Sequence, residues 1–195
     1  MNLIDLTLSV DLRTAGEAQA NLDKARSGHL GTHFDVMDKE FPLEYMEREA
    51  IVFDVSAIGT SREIGVEDID LSAVPEKGFV AFYTGYIEQV AYGTKEYFQF
   101  HPWLSMELIE AMLNKHVAII AIDFAGVRNG KEHTPTDQLC ADRGTFIVEN
   151  VCNLAAVLKG KKVAFFVAGT YPVNYVGTTG LLCRVVARMD YPISR

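Results

Sequence analysis

Val117-Ala118-Ile119-Ile120-Ala121-Ile122 and Val163-Ala164-Phe165-Phe166-Val167 decide the fold class. Both runs are apolar throughout and rich in β-branched or aromatic residues. A strand with one wet face alternates apolar and polar residues, whereas a short continuous run fits a strand covered on both faces. The two strands are expected over Val117–Phe124 and Val163–Ala168. Four more short runs, Leu3–Val10, Ile51–Ser56, Phe79–Tyr83 and Leu181–Ala187, have strand composition and end in Gly, Pro, Asn or charged clusters. Helices must supply part of the cover. Ser105–Lys115 offers a Ser N-cap, Glu107 in the first turn and a stripe of Leu108, Ile109, Met112 and Leu113. Thr145–Leu158 spaces Ile147, Val151, Leu154 and Leu158 as a helix and stops before Gly160-Lys161-Lys162. Ala15–Ser27 is polar, and reads either as a surface helix or as a mobile flap. No repeat, low-complexity tract or linker divides the chain, so one α/β domain is expected over residues 1–195.

Composition narrows the function. The chain has 195 residues, 49% of them hydrophobic, enough to bury roughly 70% of the unfolded surface, so the fold needs neither disulfides nor a structural metal. Cys140, Cys152 and Cys183 are odd in number and widely spaced, and two of the three are expected in the core, with Cys140 the least clear. Eighteen basic against 26 acidic residues give a formal charge of −8, which argues against nucleic acid or an anionic membrane as partner. The longest apolar runs fall far short of the ~20 residues of a membrane span. The first residues lack the basic flank and apolar run of a signal peptide, so a cytoplasmic protein is expected. Walker, G-x-G-x-x-G and G-x-S-x-G motifs are absent.

The sharpest chemical signal is Gly28-His29-Leu30-Gly31-Thr32-His33-Phe34-Asp35. On an extended chain His29, His33 and Asp35 share one face, with Gly31 between them. At ~3.3 Å per residue, His33 and Asp35 can reach one ion, while His29 would stand about 13 Å from His33 unless the chain bends. Gly31 is the natural place for that bend. Two imidazoles and a carboxylate suit zinc, manganese or iron. The alternative is a polar strand edge whose side chains bond nearby backbone.

A second constellation is His133-Thr134-Pro135-Thr136-Asp137-Gln138-Leu139-Cys140, followed by Glu149. Within the expected Thr145–Leu158 helix, Glu149 sits at the border of the apolar stripe, half-buried and in want of a metal, of Arg143, of a backbone amide or of a lysine. His133 and Asp137 read as loop residues on their own. Asp123 is a turn acceptor or a catalytic carboxylate, His101-Pro102-Trp103 a packed turn or an aromatic pocket wall, and His116 structural.

Taken together the two clusters resemble the Putative cyclase family, metal-dependent hydrolases that include bacterial kynurenine formamidase (arylformamidase) and isatin hydrolase. Its hallmark, H-x-G-T-H-x-D-x-P-x-H, reads here His29-Leu30-Gly31-Thr32-His33-Phe34-Asp35-Val36-Met37-Asp38-Lys39, without the Pro and the last His. Ile4-Asp5-Leu6-Thr7, Tyr83-Thr84-Gly85-Tyr86, His101-Pro102 before Leu104-Ser105, Ile122-Asp123, Ile147-Val148-Glu149-Asn150 and Arg184-Val185-Val186-Ala187 follow the family in order. The resemblance implies a swivelling β/β/α domain, a barrel-like mixed sheet with helices outside, usually a homodimer. It implies one or two divalent ions, zinc or manganese, on His29, His33, Asp35 and Glu149, with Asp35 as the bridge if two bind. Asp137 stands where the family has a further ligand His, and Lys39 where it has its acid/base His. Lys39 is therefore the candidate for that role, with His133 as the nearby imidazole able to take it over. The implied reaction is metal-assisted hydrolysis of an aryl formamide or cyclic amide, a small-molecule substrate walled by Phe34, Tyr83, Tyr86 and Trp103.

Overall fold

The computed structural model describes residues 2–11 and 18–190, so the first residues of the Ala15–Ser27 segment lie outside the described chain. In chain order the elements are β1 (Leu3–Asp5), α1 (Ala18–Ser27), β2 (His33–Asp35), β3 (Glu47–Asp54), β4 (Phe79–Tyr83), α2 (Tyr86–Gln89), α3 (Lys95–Gln99), α4 (Met106–Asn114), β5 (Ile119–Ile122), α5 (His133–Asp142), β6 (Phe146–Glu149), α6 (Leu154–Leu158), β7 (Val163–Pro172) and β8 (Gly180–Arg188). β3, β4, β5 and β6 run parallel in that order. β7 pairs antiparallel with both β3 and β8, and β2 pairs antiparallel with both β8 and β6. Seven strands thus close into a barrel, and β1 adds to β8 at Val186–Arg188. Among the described residues the closed sheet leaves only the three-residue β1 as an edge strand.

Strand alternation divides the apolar residues between two cores. Phe34, Ala50, Val52, Phe79, Ala81, Ile119, Ala121, Phe146, Val148, Phe166, Ala168 and Val185 form one cluster, joined by Leu154, Val157 and Leu158 of α6. Alanines facing phenylalanines fill a narrow barrel, as in the edge-to-face contact of Phe79 with Phe166 at 5.9 Å. The intervening residues, Ile51, Phe53, Val80, Phe82, Ile120, Ile122 and Ile147, pack outward on Leu108, Ile109, Met112 and Leu113 of α4. Ile119–Ile122 is buried on both faces, as its unbroken apolar run implies. Ser105 caps α4 as expected, its hydroxyl accepting from Leu108 N at 3.0 Å, a bond worth ~1 kcal/mol. Among the described residues no helix is long and apolar enough to cross a membrane.

Three expectations need correction. The Thr145–Leu158 segment is not one helix: Phe146–Glu149 is β6, and only Leu154–Leu158 is helical. Helical spacing of its apolar residues is real, but the segment hydrogen-bonds to β5 on one side and β2 on the other, and tertiary pairing overrides a local period. His133 and Asp137 lie on α5 rather than in a loop. The first strand ends at Asp5, with Thr7 continuing only as a bridge to Val151. From Ala18 to Ser27 the polar segment is helix. Cys140 and Cys183 are core residues, and burial pushes the Cys140 thiol up to about 12.

Candidate metal centre

The site begins with register. In the β2–β6 ladder His33 lies opposite Glu149, Phe34 opposite Val148 and Asp35 opposite Ile147. Directly opposed residues share a face, so His33, Asp35 and Glu149 emerge together on the outer side of the barrel while Phe34 and Val148 point inward. His29 reaches the same place through the expected bend: Gly31 has φ +62°, and a Cβ there would lie 2.9 Å from Val10 Cγ2. The His29 and His33 rings stand edge to face with centroids 4.9 Å apart. His29 Nδ1 is 3.1 Å from Asp35 Oδ1, and its Nε2 is 2.9 Å from Thr179 Oγ1. His33 Nε2 lies 3.6 Å from oxygens of both Asp35 and Glu149.

α5 completes the cluster from the other side. His133 and Asp137 are one turn apart on one helix face, and His133 Nε2 is 3.2 Å from Asp137 Oδ2 and 3.1 Å from Glu149 Oε1. The imidazole fits because the loop residue facing it is Gly126, at φ +88°, whose Cβ would stand 2.9 Å from His133 Cε1. Glu149 therefore joins the halves, one oxygen toward His33 and the other toward His133. Ligand atoms of His29, His33 and Asp35, and separately of Asp35, His133 and Asp137, come within 4.8 Å of one another.

The electrostatics are those of a site short of positive charge. Burial would pull His33 down, but Asp35 and Glu149 overcome it and raise it to about 9. The bond to Glu149 raises His133 to about 9 despite its burial. Burial, with the Asp35 charge beside it, lifts Asp137 to about 8. Asp35 goes the other way: burial works against its charge, yet His33 and His29 hold it well below the usual carboxylate range. Asp35 Oδ2 and Asp137 Oδ1 are buried without a hydrogen-bond partner. Three imidazoles and three carboxylates with two orphaned oxygens fit a divalent ion.

Not every candidate comes to the cluster. Phe34 is fully buried in the barrel against Phe41 at 4.6 Å, so it walls no pocket on the outer face. Lys39 Nζ pairs with Asp142 at 2.7 Å and Asp38 at 3.0 Å, and these bonds raise its pKa. The Tyr83 hydroxyl donates to Glu88, while Trp103 is half-buried, next to the Ile64–Leu104 bridge. Tyr86 lines a cavity of about 330 Å³ with Ser56, Thr60, Thr84, Gln89 and Pro102, beyond the ends of β3 and β4. Asp123 is the turn acceptor, taking bonds from Thr84 N, Thr84 Oγ1 and Gly85 N. His101 is a packed turn residue, bonded through Nδ1 to the Pro102 carbonyl and stacked on Phe124. Sequence reasoning missed Thr179, which no local pattern marks, and Asn150, whose signal was its place next to Glu149.

No curated protein matches the chain. Its fold is similar to that of a potential metal-dependent hydrolase with cyclase activity, at TM-score 0.73 and 19% identity over 98% of this chain and 99% of that one. It is also similar to isatin hydrolase A from Labrenzia aggregata, at TM-score 0.75 and 18% identity over 97% and 94% of the two chains. Isatin hydrolase A from Ralstonia solanacearum gives TM-score 0.69 and 17% identity over 95% and 91%. At such identities the likeness speaks for the fold alone. The model of the family described as Putative cyclase matches residues 4–128, well over half of the chain, and the chain belongs to that family.

Proposed function

We propose that this chain is a metal-dependent hydrolase of small amides, an aryl formamide or a cyclic amide. The observation that carries the reading is the pair of orphaned carboxylate oxygens, Asp35 Oδ2 and Asp137 Oδ1, inside one buried cluster of imidazoles and carboxylates. Such atoms cost free energy unless a cation or proton meets them. His29, His33, Asp35, Asp137 and Glu149 would hold one or two ions of zinc or manganese. When bound, an ion of this kind lowers the pKa of a coordinated water toward ~7 and polarises the scissile carbonyl.

The chain's own residues divide the remaining work. Asp35 touches His29 and His33 and belongs to both candidate ligand groups, so it would be the bridge if two ions bind. His133 Nε2 stands between Asp137 Oδ2 at 3.2 Å and Glu149 Oε1 at 3.1 Å, and about a third of its side chain is open to solvent. That combination suits a group that carries a proton between a reacting centre and water. Lys39, clasped by two carboxylates, is the weaker candidate for the role. Tyr83, Tyr86 and Trp103 remain candidate walls for a substrate ring, and the working form is taken to be a cytoplasmic homodimer.

Elemental analysis of untagged protein should find stoichiometric zinc or manganese, and the loaded protein should hydrolyse N-formylkynurenine or isatin. Metal without turnover of either would sink the amide claim; no metal after soaking would sink the whole reading. A second reading, a binding protein that keeps the scaffold without catalysis, is favoured by the lysine at position 39. Under that reading Lys39→His would confer turnover that the natural chain lacks.

A further inference from the structure

Gly31 is the peptide unit that swings His29 toward His33, and both of its backbone polar atoms are gripped. Its N–H donates to the Tyr92 hydroxyl oxygen at 2.8 Å. Its carbonyl accepts twice, from His33 Nδ1 at 2.9 Å and from Asn150 Nδ2 at 2.9 Å. Asn150 Oδ1 in turn accepts from the Tyr97 hydroxyl at 2.7 Å. A carbonyl can only accept, so both nitrogens facing it must carry hydrogens, which fixes the Asn150 amide orientation and places a proton on His33 Nδ1. His33 Nε2 is then left for the cluster, 3.6 Å from both Asp35 and Glu149.

Asn150 also ties the relay to the other strand. It follows Glu149 directly, turns the chain at φ +57°, and its own carbonyl accepts from Thr32 Oγ1 at 2.7 Å. Asn150 and Tyr97 are almost entirely buried, so water does not substitute for either bond. Tyr97 is enclosed by the rings of Tyr86, Tyr92 and Phe98, at centroid distances of 5.3 to 5.4 Å.

Resting on the metal-site reading above, we infer that Tyr97 and Asn150 are positioning residues that present His33 Nε2 to a metal by pinning the Gly31 carbonyl. The Tyr97 hydroxyl orients the Asn150 amide, the amide holds the carbonyl of a left-handed glycine that would otherwise turn freely, and the carbonyl holds the imidazole. Neither residue touches the ion.

The test is zinc affinity, measured by competition with a chromophoric chelator, together with the His33 Nδ1–H resonance of the zinc-loaded protein. Asn150→Gly accepts the positive φ without strain; Tyr97→Phe keeps the ring and removes only the hydroxyl. Asn150→Gly should weaken zinc binding by about 10–100-fold, the range for loss of an outer partner of a ligand. Tyr97→Phe should weaken it by about 3–10-fold, and the double variant should be no weaker than Asn150→Gly, because the hydroxyl acts only through the amide. The Nδ1–H signal should be slow to exchange in the natural protein and lost or broadened with Asn150→Gly. Melting temperatures lowered with zinc affinity kept within about twofold would mean that the pair only packs, and would overturn the inference while leaving the metal site standing. A natural protein that takes up neither zinc nor manganese would overturn the metal-site reading itself. Should Asn150→Gly not fold, Tyr97→Phe decides alone.

Discussion

Two halves of the cluster are built by different means. The strand half, His33, Asp35 and Glu149, is fixed by a ladder in which β2 is paired on both sides, to β8 and to β6. The backbone positions of these residues cannot shift without breaking that pairing. The helix half, His133 and Asp137, hangs from one face of α5, and its place depends on side-chain bonds to Glu149 and on the gap left by Gly126. The difference teaches where tolerance lies. A one-residue slip in β2 would turn Phe34 outward and both ligands inward, whereas on a helix a neighbouring position one turn away covers nearly the same spot. Against the ligand pattern that the resemblance implies, the departure falls on the helix half, with a carboxylate at 137 and an imidazole one turn earlier at 133.

The strand half should break hardest. Asp35→Ala, which removes the residue common to both candidate ligand groups, should cost more than the ~100-fold in metal affinity that loss of an outer partner reaches; unchanged metal content by elemental analysis would refute this. Next comes a pH effect beside the helix half. His101 is buried and held neutral, its pKa lowered to about 4 by desolvation. Its folded value lies below the unfolded 6.5, so the native state binds fewer protons between the two. Stability is therefore present above pH ~6.5 and is lost as pH falls toward ~4, by about 3 kcal/mol in all. His101→Gln, which keeps a donor for the Pro102 carbonyl, should flatten that dependence in urea titrations at pH 7 and 4.5; equal slopes for the two proteins would count against it.

Asp137→His sharpens the comparison by restoring an imidazole to the helix half. Softer donors should shift preference from manganese toward zinc by ~10-fold in competition titrations. If the preference stays put, position 137 does not set the donor character of the site. The smallest effect belongs to Lys39→Ala. Its partners Asp38 and Asp142 are exposed, and exposed pairs contribute little. Metal affinity should stay within about twofold; a larger loss would show that the lysine acts on the centre after all.

Much of the strand half was legible in the chain. Equal parity of His29, His33 and Asp35, with a glycine at the bend, is local information, and the bend is where that glycine placed it. Phe34 shows the limit of the same logic. Strand alternation puts it on the opposite face from its two neighbours, so its candidacy as a substrate wall conflicted with the parity that made His33 and Asp35 ligands. Glu149 was found as a candidate inside the wrong element: an apolar spacing of 147, 151, 154 and 158 satisfies a helix as well as it satisfies a strand followed by a turn and a short helix.

What the sequence by itself determined is what depends on near neighbours: buried strands from unbroken apolar runs, the α4 stripe and its serine cap, and the common face of His29, His33 and Asp35. Only the tertiary structure decided that Phe146–Glu149 is a strand, that Glu149 lies opposite His33, that α5 brings His133 and Asp137 to the same point, and that Lys39 is held by Asp38 and Asp142. Each of these rests on hydrogen bonds or ion pairs whose partners can be a hundred or more residues away along the chain, and periodicity within one segment carries no information about them.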